Sequence, residues 1–84
     1  MTPAERDDML FELRELLPMV RDNARGAKAS ADHTSLDDYA TGFEPARMRT
    51  ARMNIAQSFR TLADNYDAYA TAIVTTIAEL EGER

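Results

Sequence analysis

The sequence predicts an all-α protein: an antiparallel helical hairpin with a kinked first helix and a long second helix. A helix-forming composition and two amphipathic stripes lead to this prediction. The 84 residues include only 3 Gly and 3 Pro, and Ala, Arg, Glu, Leu and Met dominate the segments between them. In each half of the chain, apolar residues recur at alternating steps of three and four, which places them on one face of a helix. Residues 1–84 are therefore expected to form a single helical domain.

The first helix of the predicted hairpin covers about residues 3–31. Thr2 and Glu5 match a capping box, and Pro3 suits the first helical position, where its missing N–H costs nothing. An apolar stripe follows this start. Pro18 lies within the stripe and removes one backbone hydrogen bond, which predicts a kink at this point of the helix.

Residues 32–44 form the predicted connection, and the acidic residues after Ser35 would allow a short helical turn there. The second helix is expected to start at Pro45 and to cover about residues 45–81, a length of ~50 Å. One face of this helix carries the large apolar residues Met48, Ile55, Phe59, Leu62, Tyr66, Tyr69, Ile73, Ile77 and Leu80. In heptads, one position holds Phe59, Tyr66, Ile73 and Leu80, and a second holds Ile55, Leu62 and Tyr69. A third, beside them, holds Ala56, Ala63 and Ala70, followed by Ile77.

A hairpin leaves part of this face exposed, so the nine large apolar residues are predicted to form an interface with a second copy of the chain or with another protein. Three apolar positions in each heptad suit a helix bundle better than a two-stranded coiled coil. A chain of 84 residues also buries only a modest share of its surface when it folds alone. We therefore expect two hairpins to associate as a homodimeric four-helix bundle.

The charges of the predicted hairpin are unevenly distributed. Basic residues concentrate near the loop and acidic residues near the chain termini, so two hairpins would attract each other in an antiparallel arrangement. The net charge of the whole chain is −5. Because phosphate binding needs clustered cations, this charge argues against nucleic acid as the partner.

A basic run near the start of the second helix is a possible docking patch. Its residues are Arg47, Arg49, Arg52 and Arg60. Cations at the start of a helix oppose the helix dipole, so another interaction is expected to favour them there. One hypothesis is that they bind an acidic protein surface or a nucleic acid. The other is that acidic residues in and beside the loop, such as Asp37 and Glu44, neutralise them.

No catalytic, cofactor-binding or metal site is predicted, because the sequence has no nucleophile–base pair, no glycine-rich phosphate loop and no metal-ligand spacing. His33 is the only histidine, and the chain has no cysteine. No apolar run approaches the ~20 residues that span a bilayer, and the N-terminus lacks the pattern of an export signal. We therefore expect a cytoplasmic protein that is not an enzyme and does not bind a membrane.

The length and two-helix plan of the chain resemble those of the small helical hairpins that type VII secretion systems export. This resemblance implies an exported hairpin protein. The chain differs from these proteins because it has no Trp for their Trp-x-Gly turn. It also has no acidic residue four positions after Tyr66 or Tyr69, where their export signal has one.

The function predicted from these features is that of a small non-catalytic protein–protein interaction module, which acts through its helical surfaces as a homodimer or with a partner protein. An accessory or regulatory protein, an antitoxin-like protein or a phage-encoded inhibitor would fit this description. Two alternatives stay open. One is a nucleic-acid-binding regulator that uses the basic run Arg47–Arg60, and the other is an exported hairpin of a type VII-like system.

Overall fold

The computed structural model describes residues 1–35 and 44–82. These residues form two α-helices, α1 (Pro3–Ser35) and α2 (Ala46–Gly82), and contain no strand. The helices pack side by side as a hairpin with extents of 63 × 14 × 14 Å. The radius of gyration is 19.0 Å, whereas a compact domain of this length would have about 12 Å. The predicted all-α class is confirmed, and the protein is a rod.

The start of α1 confirms the predicted capping box. Thr2 N donates to Glu5 Oε1 at 3.3 Å, and Glu5 N donates to Thr2 Oγ1 at 3.2 Å. Each residue thereby satisfies a backbone N–H that the helix leaves without a partner. From this start α1 continues as one helix through Pro18. The kink at this proline stays a prediction.

Both helices differ slightly in extent from the prediction. Residues 32–35 belong to α1 rather than to the connection, and the predicted short turn falls mainly on residues 36–43, outside the described part of the chain. The second helix begins at Ala46, one residue later than expected. Pro45 precedes it, and its carbonyl oxygen accepts a hydrogen bond from Met48 N at 2.9 Å. Pro45 therefore caps α2 through its backbone.

The interior of the hairpin changes character along its length. We define the terminal half as residues 1–20 and 71–82, and the loop-side half as residues 21–35 and 44–70. The buried residues of the terminal half are large: Leu10, Val20, Ile73 and Leu80. Those of the loop-side half are all alanines: Ala24, Ala27, Ala31, Ala56, Ala63 and Ala70. Because alanine extends little from the backbone, the two helices can approach closely in this half.

Two ion pairs on one side of the hairpin define its register. The Arg14 guanidinium binds the Glu81 carboxylate, and Lys28 Nζ lies 3.0 Å from Asp67 Oδ2. The two pairs are 14 residues apart on each helix and run in opposite directions, which shows that the helices are antiparallel. All four side chains are about half exposed, so each pair contributes at most ~1 kcal/mol. We call this side of the hairpin the charged edge.

Candidate interaction surface

The nine apolar residues of the predicted interface do not share one environment. Two of them are buried within the hairpin: Ile73 and Leu80. Three are partly buried: Phe59, Tyr66 and Ile77. The other four are exposed: Met48 at 57%, Ile55 at 52%, Leu62 at 42% and Tyr69 at 50%. Of the nine predicted interface residues, only these four are therefore open to a partner.

The alanine row of α2 explains this division. Ala56, Ala63 and Ala70 are buried, and they lie seven residues apart on the face toward α1. Each of them directly follows one of the exposed residues: Ile55, Leu62 and Tyr69. Consecutive residues of a helix are separated by about 100°, so burying the alanine turns the preceding large side chain to the side of the interface.

The side opposite the charged edge carries apolar residues from both helices. On α2 these are the four exposed residues Met48, Ile55, Leu62 and Tyr69. On α1 they are Met9, Leu16 and Met19, of which Leu16 is partly buried and both methionines are exposed. We call these seven residues the apolar edge. The three α1 residues were missing from the predicted interface, although Met9 and Leu16 flank the apolar stripe of α1 in the sequence.

The apolar edge continues into a surface of α2 that carries no charge. Between residues 48 and 76, the two helical rows on this side are Met48, Ala51, Ile55, Ser58, Leu62, Asn65, Tyr69, Ala72 and Thr76. Ser58 Oγ donates to Asn54 O at 3.1 Å, and Thr76 Oγ1 donates to Ala72 O at 2.8 Å. These hydroxyls can enter a dry interface without losing a hydrogen bond. The uncharged surface is about 40 Å long, so a partner could cover it without burying a charge of α2.

Arg52 lies within the apolar stripe of α2, where a polar cluster holds it. Its Nε and Nη2 donate to the Glu44 carboxylate at 3.1 and 3.2 Å, and its Nη1 donates to Thr34 O at 3.0 Å. The Arg52 and Glu44 side chains are only 11% and 10% exposed. Arg49 Nε lies 3.9 Å from the same carboxylate. Both arginines are therefore engaged by Glu44, as the neutralisation hypothesis expects.

The four arginines of the predicted docking patch do not form one surface. Helical periodicity places Arg47 about half a turn from Arg49, on the outer side of α2. Arg60 is partly buried on the side of the charged edge. Within residues 1–35 and 44–82, neither Arg47 nor Arg60 has an ion pair. The two arginines that Glu44 does not engage thus lie in different places.

An open groove of about 380 Å³ lies on the charged edge beside Arg60. Its charged lining consists of Lys28, Asp32, Arg60 and Asp64. This lining has two cations and two carboxylates, and Lys28 is also paired with Asp67. Balanced charge favours neither an anionic nor a cationic ligand. The groove therefore does not indicate a class of ligand.

His33 is exposed in the last turn of α1. Among the residues that the structure describes, no three His, Asp or Glu side chains could together hold a metal ion. Neither α1 nor α2, as far as they are described, is long and apolar enough to cross a membrane.

No family model, curated protein or solved structure matches this chain. The functional argument therefore depends on the surfaces of the hairpin, and the apolar edge is the most distinctive of them.

Proposed function

We propose that this protein is a small non-catalytic protein–protein interaction module and that the apolar edge is its binding surface. The observation that carries the proposal is the exposed row of Met48, Ile55, Leu62 and Tyr69, each between 42% and 57% exposed. Removing such side chains from water gains about 25 cal/mol for each Å² of apolar surface. The partner is a second copy of the chain or another protein. An accessory, regulatory, antitoxin-like or inhibitory role is consistent with such a module.

A helix from the partner fits this surface best. The exposed row presents one large side chain in every heptad, and the neighbouring row of Ala51, Ser58, Asn65 and Ala72 is small or uncharged. A helix that lies along α2 could therefore pack its own side chains between the large ones without burying a charge. When the partner is another hairpin, the product is a four-helix bundle.

A photoreactive phenylalanine analogue at Tyr69 tests the proposal, and the same analogue at Phe11 is a matched control. Both positions hold exposed aromatic residues, at 50% and 62%. However, Phe11 lies beside Arg14 and Asp7, away from the apolar edge. Illumination in the native cell is expected to join residue 69 to a protein, either another copy or a different chain, with a much lower yield from residue 11. Equal yields, or no protein adduct at residue 69, would contradict the proposal.

The alternative of a nucleic-acid-binding regulator has its own test. Arg47 and Arg60 are the arginines of the basic run that Glu44 does not engage. If the chain binds DNA at low salt, and Arg47→Glu with Arg60→Glu abolishes this binding while the Tyr69 adduct is absent, the alternative replaces the proposal. If the chain does not bind DNA at low salt, the alternative is excluded.

A further inference from the structure

The apolar edge has large residues at different places on its two helices. In the loop-side half, α2 presents the large residues Met48, Ile55, Leu62 and Tyr69. The residues that α1 presents on the same side of this half are small or polar: Asn23, Gly26 and Ser30. In the terminal half the order is reversed: α1 presents Met9, Leu16 and Met19, with the exposed Glu12 between them, while α2 presents Ala72 and Thr76. The large residues of the apolar edge therefore lie on α2 in the loop-side half and on α1 in the terminal half.

We propose that the occupant of the apolar edge is a second copy of this chain, docked antiparallel about a two-fold axis near Leu62. This inference rests on the proposed function and names its partner. Two antiparallel α2 helices, each Ala46–Gly82, overlap fully when the axis lies near residue 64. Leu62 is the residue of the exposed row closest to that point. A two-fold axis there brings Ile55 of each copy opposite Tyr69 of the other.

The two ends of the apolar edge suit this arrangement. The axis near Leu62 places Met48 of one copy opposite Thr76 of the other, so that a large residue meets a small one. The same register brings Met48 to the stretch of α1 in the other copy that holds Leu16 and Met19. An isologous interface needs a surface that is complementary to itself. Ile55, Leu62 and Tyr69 therefore meet one another across the axis, and Met48 of each copy packs on the terminal half of the other.

The distribution of charge selects the antiparallel orientation over the parallel one. The terminal half carries seven acidic and two basic side chains, whereas the loop-side half carries seven basic and five acidic ones. A parallel dimer would place two acidic terminal halves side by side, and juxtaposed like charges oppose association. The antiparallel dimer separates them. It also places Glu79 of one copy at the level of Pro45 in the other, two residues from Arg47.

Single-cysteine variants of the full chain test the geometry, because the natural chain contains no cysteine. The variants are Ile55→Cys, Leu62→Cys and Tyr69→Cys, with Val74→Cys as the control. Val74 lies on the charged edge and is 42% exposed, the same as Leu62. Under mild oxidation Leu62→Cys is expected to form a disulfide-linked dimer by itself. Ile55→Cys mixed with Tyr69→Cys should link at least about fivefold more than either variant separately, and Val74→Cys should stay at background.

Cysteine substitutions at exposed alanines provide a second test of the same geometry and leave the large side chains in place. Ala51→Cys and Ala72→Cys lie on the same surface, and the same axis pairs them with each other. They are expected to link when mixed and much less when separate. Circular dichroism of every variant checks that its helical content is unchanged. A pair that lowers it is replaced in the comparison by the other pair.

Two outcomes would overturn the inference. If Ile55→Cys links to itself as strongly as to Tyr69→Cys, the dimer is parallel. If Leu62→Cys links no better than Val74→Cys and the alanine pair also stays at background, the apolar edge does not contact a second copy. In the latter case an adduct between residue 69 and a different protein in the cell would leave the proposed function standing. Absence of that adduct as well would overturn both.

Discussion

Arg52 connects three parts of the chain through one side chain. Its planar guanidinium donates two parallel hydrogen bonds to Glu44, which precedes α2, and a third to the Thr34 carbonyl in the last turn of α1. Charge-assisted bonds of this kind are stronger than neutral ones, and water replaces them poorly where both side chains are about nine-tenths buried. At this position the chain uses a charged residue to close the loop-side end of the hairpin.

Replacing Arg52 should therefore lower the free energy of unfolding much more than replacing the nearby Arg47. Arg52→Ala is expected to lower the free energy of unfolding by about 3 kcal/mol, because it leaves the buried Glu44 carboxylate with only the long contact to Arg49. Arg52→Lys should lower it by about 1–2 kcal/mol, since an ammonium keeps the charge but not the planar fork. Arg47→Ala is the control and should change it by no more than about 0.5 kcal/mol. Urea unfolding at one fixed protein concentration measures all three, and equal losses at both positions would contradict this account.

At the scale of a helix, Pro18 is the weakest point of α1. It is exposed on the helix surface and has no N–H to donate to the preceding turn. Pro18→Ala should therefore raise the free energy of unfolding by up to about 3 kcal/mol without opening a cavity. Gly26→Ala provides the comparison, because an added Cβ there would meet nothing within 4 Å. It should gain no more than about 1 kcal/mol. Thermal unfolding followed by circular dichroism measures both gains, and a gain at Pro18 no larger than at Gly26 would contradict the prediction.

The helices themselves could be predicted from local sequence, whereas the row of α2 that faces α1 could not. The capping box of Thr2 and Glu5 and the steps of three and four are local signals, and they identify both helices. Steps of three and four do not distinguish the row through Ile55 from the row through Ala56, because both lie beside Phe59. The choice depends on α1, which brings its own alanines to the same half of the hairpin. Hydrophobicity predicts that the larger residues face α1, whereas the close approach of the two backbones places the alanines there.

The Arg52 cluster could likewise be predicted from the sequence only in part. Acidic residues near the loop suggested that the arginines are neutralised, and Glu44 was among the candidates. The bond from Arg52 to the Thr34 carbonyl depends on where α1 ends, and the sequence pattern placed that end near residue 31 instead of Ser35. Element boundaries are the least certain part of such predictions, since the end of a helix is decided by a few weak contacts.

At the scale of the whole molecule, a charge inserted on the apolar edge should weaken association, whereas the matched insertion on the charged edge should not. Leu62→Glu would bury two carboxylates at the proposed two-fold axis, and we expect it to weaken the dimer at least about a hundredfold. Val74→Glu adds a carboxylate on the charged edge. It lies across the hairpin from Arg21 in the same way that Glu81 lies across from Arg14, one heptad away on each helix. It should leave the dimer unchanged. Analytical ultracentrifugation across a concentration series measures both variants, and an equal effect of the two would contradict the assignment of the apolar edge.

The alanine packing of the loop-side half also affects how the hairpin opens. A buried alanine removes far less apolar surface from water than a buried valine, leucine or isoleucine, so the cohesion between the helices is concentrated near the chain termini. Partial unfolding should accordingly begin at the end where the chain reverses, once the Arg52 cluster releases, and spread toward Val20 and Ile73. The loop-side half is therefore expected to open more often than the terminal half. It also carries most of the apolar edge, so local opening and partner binding would involve the same residues.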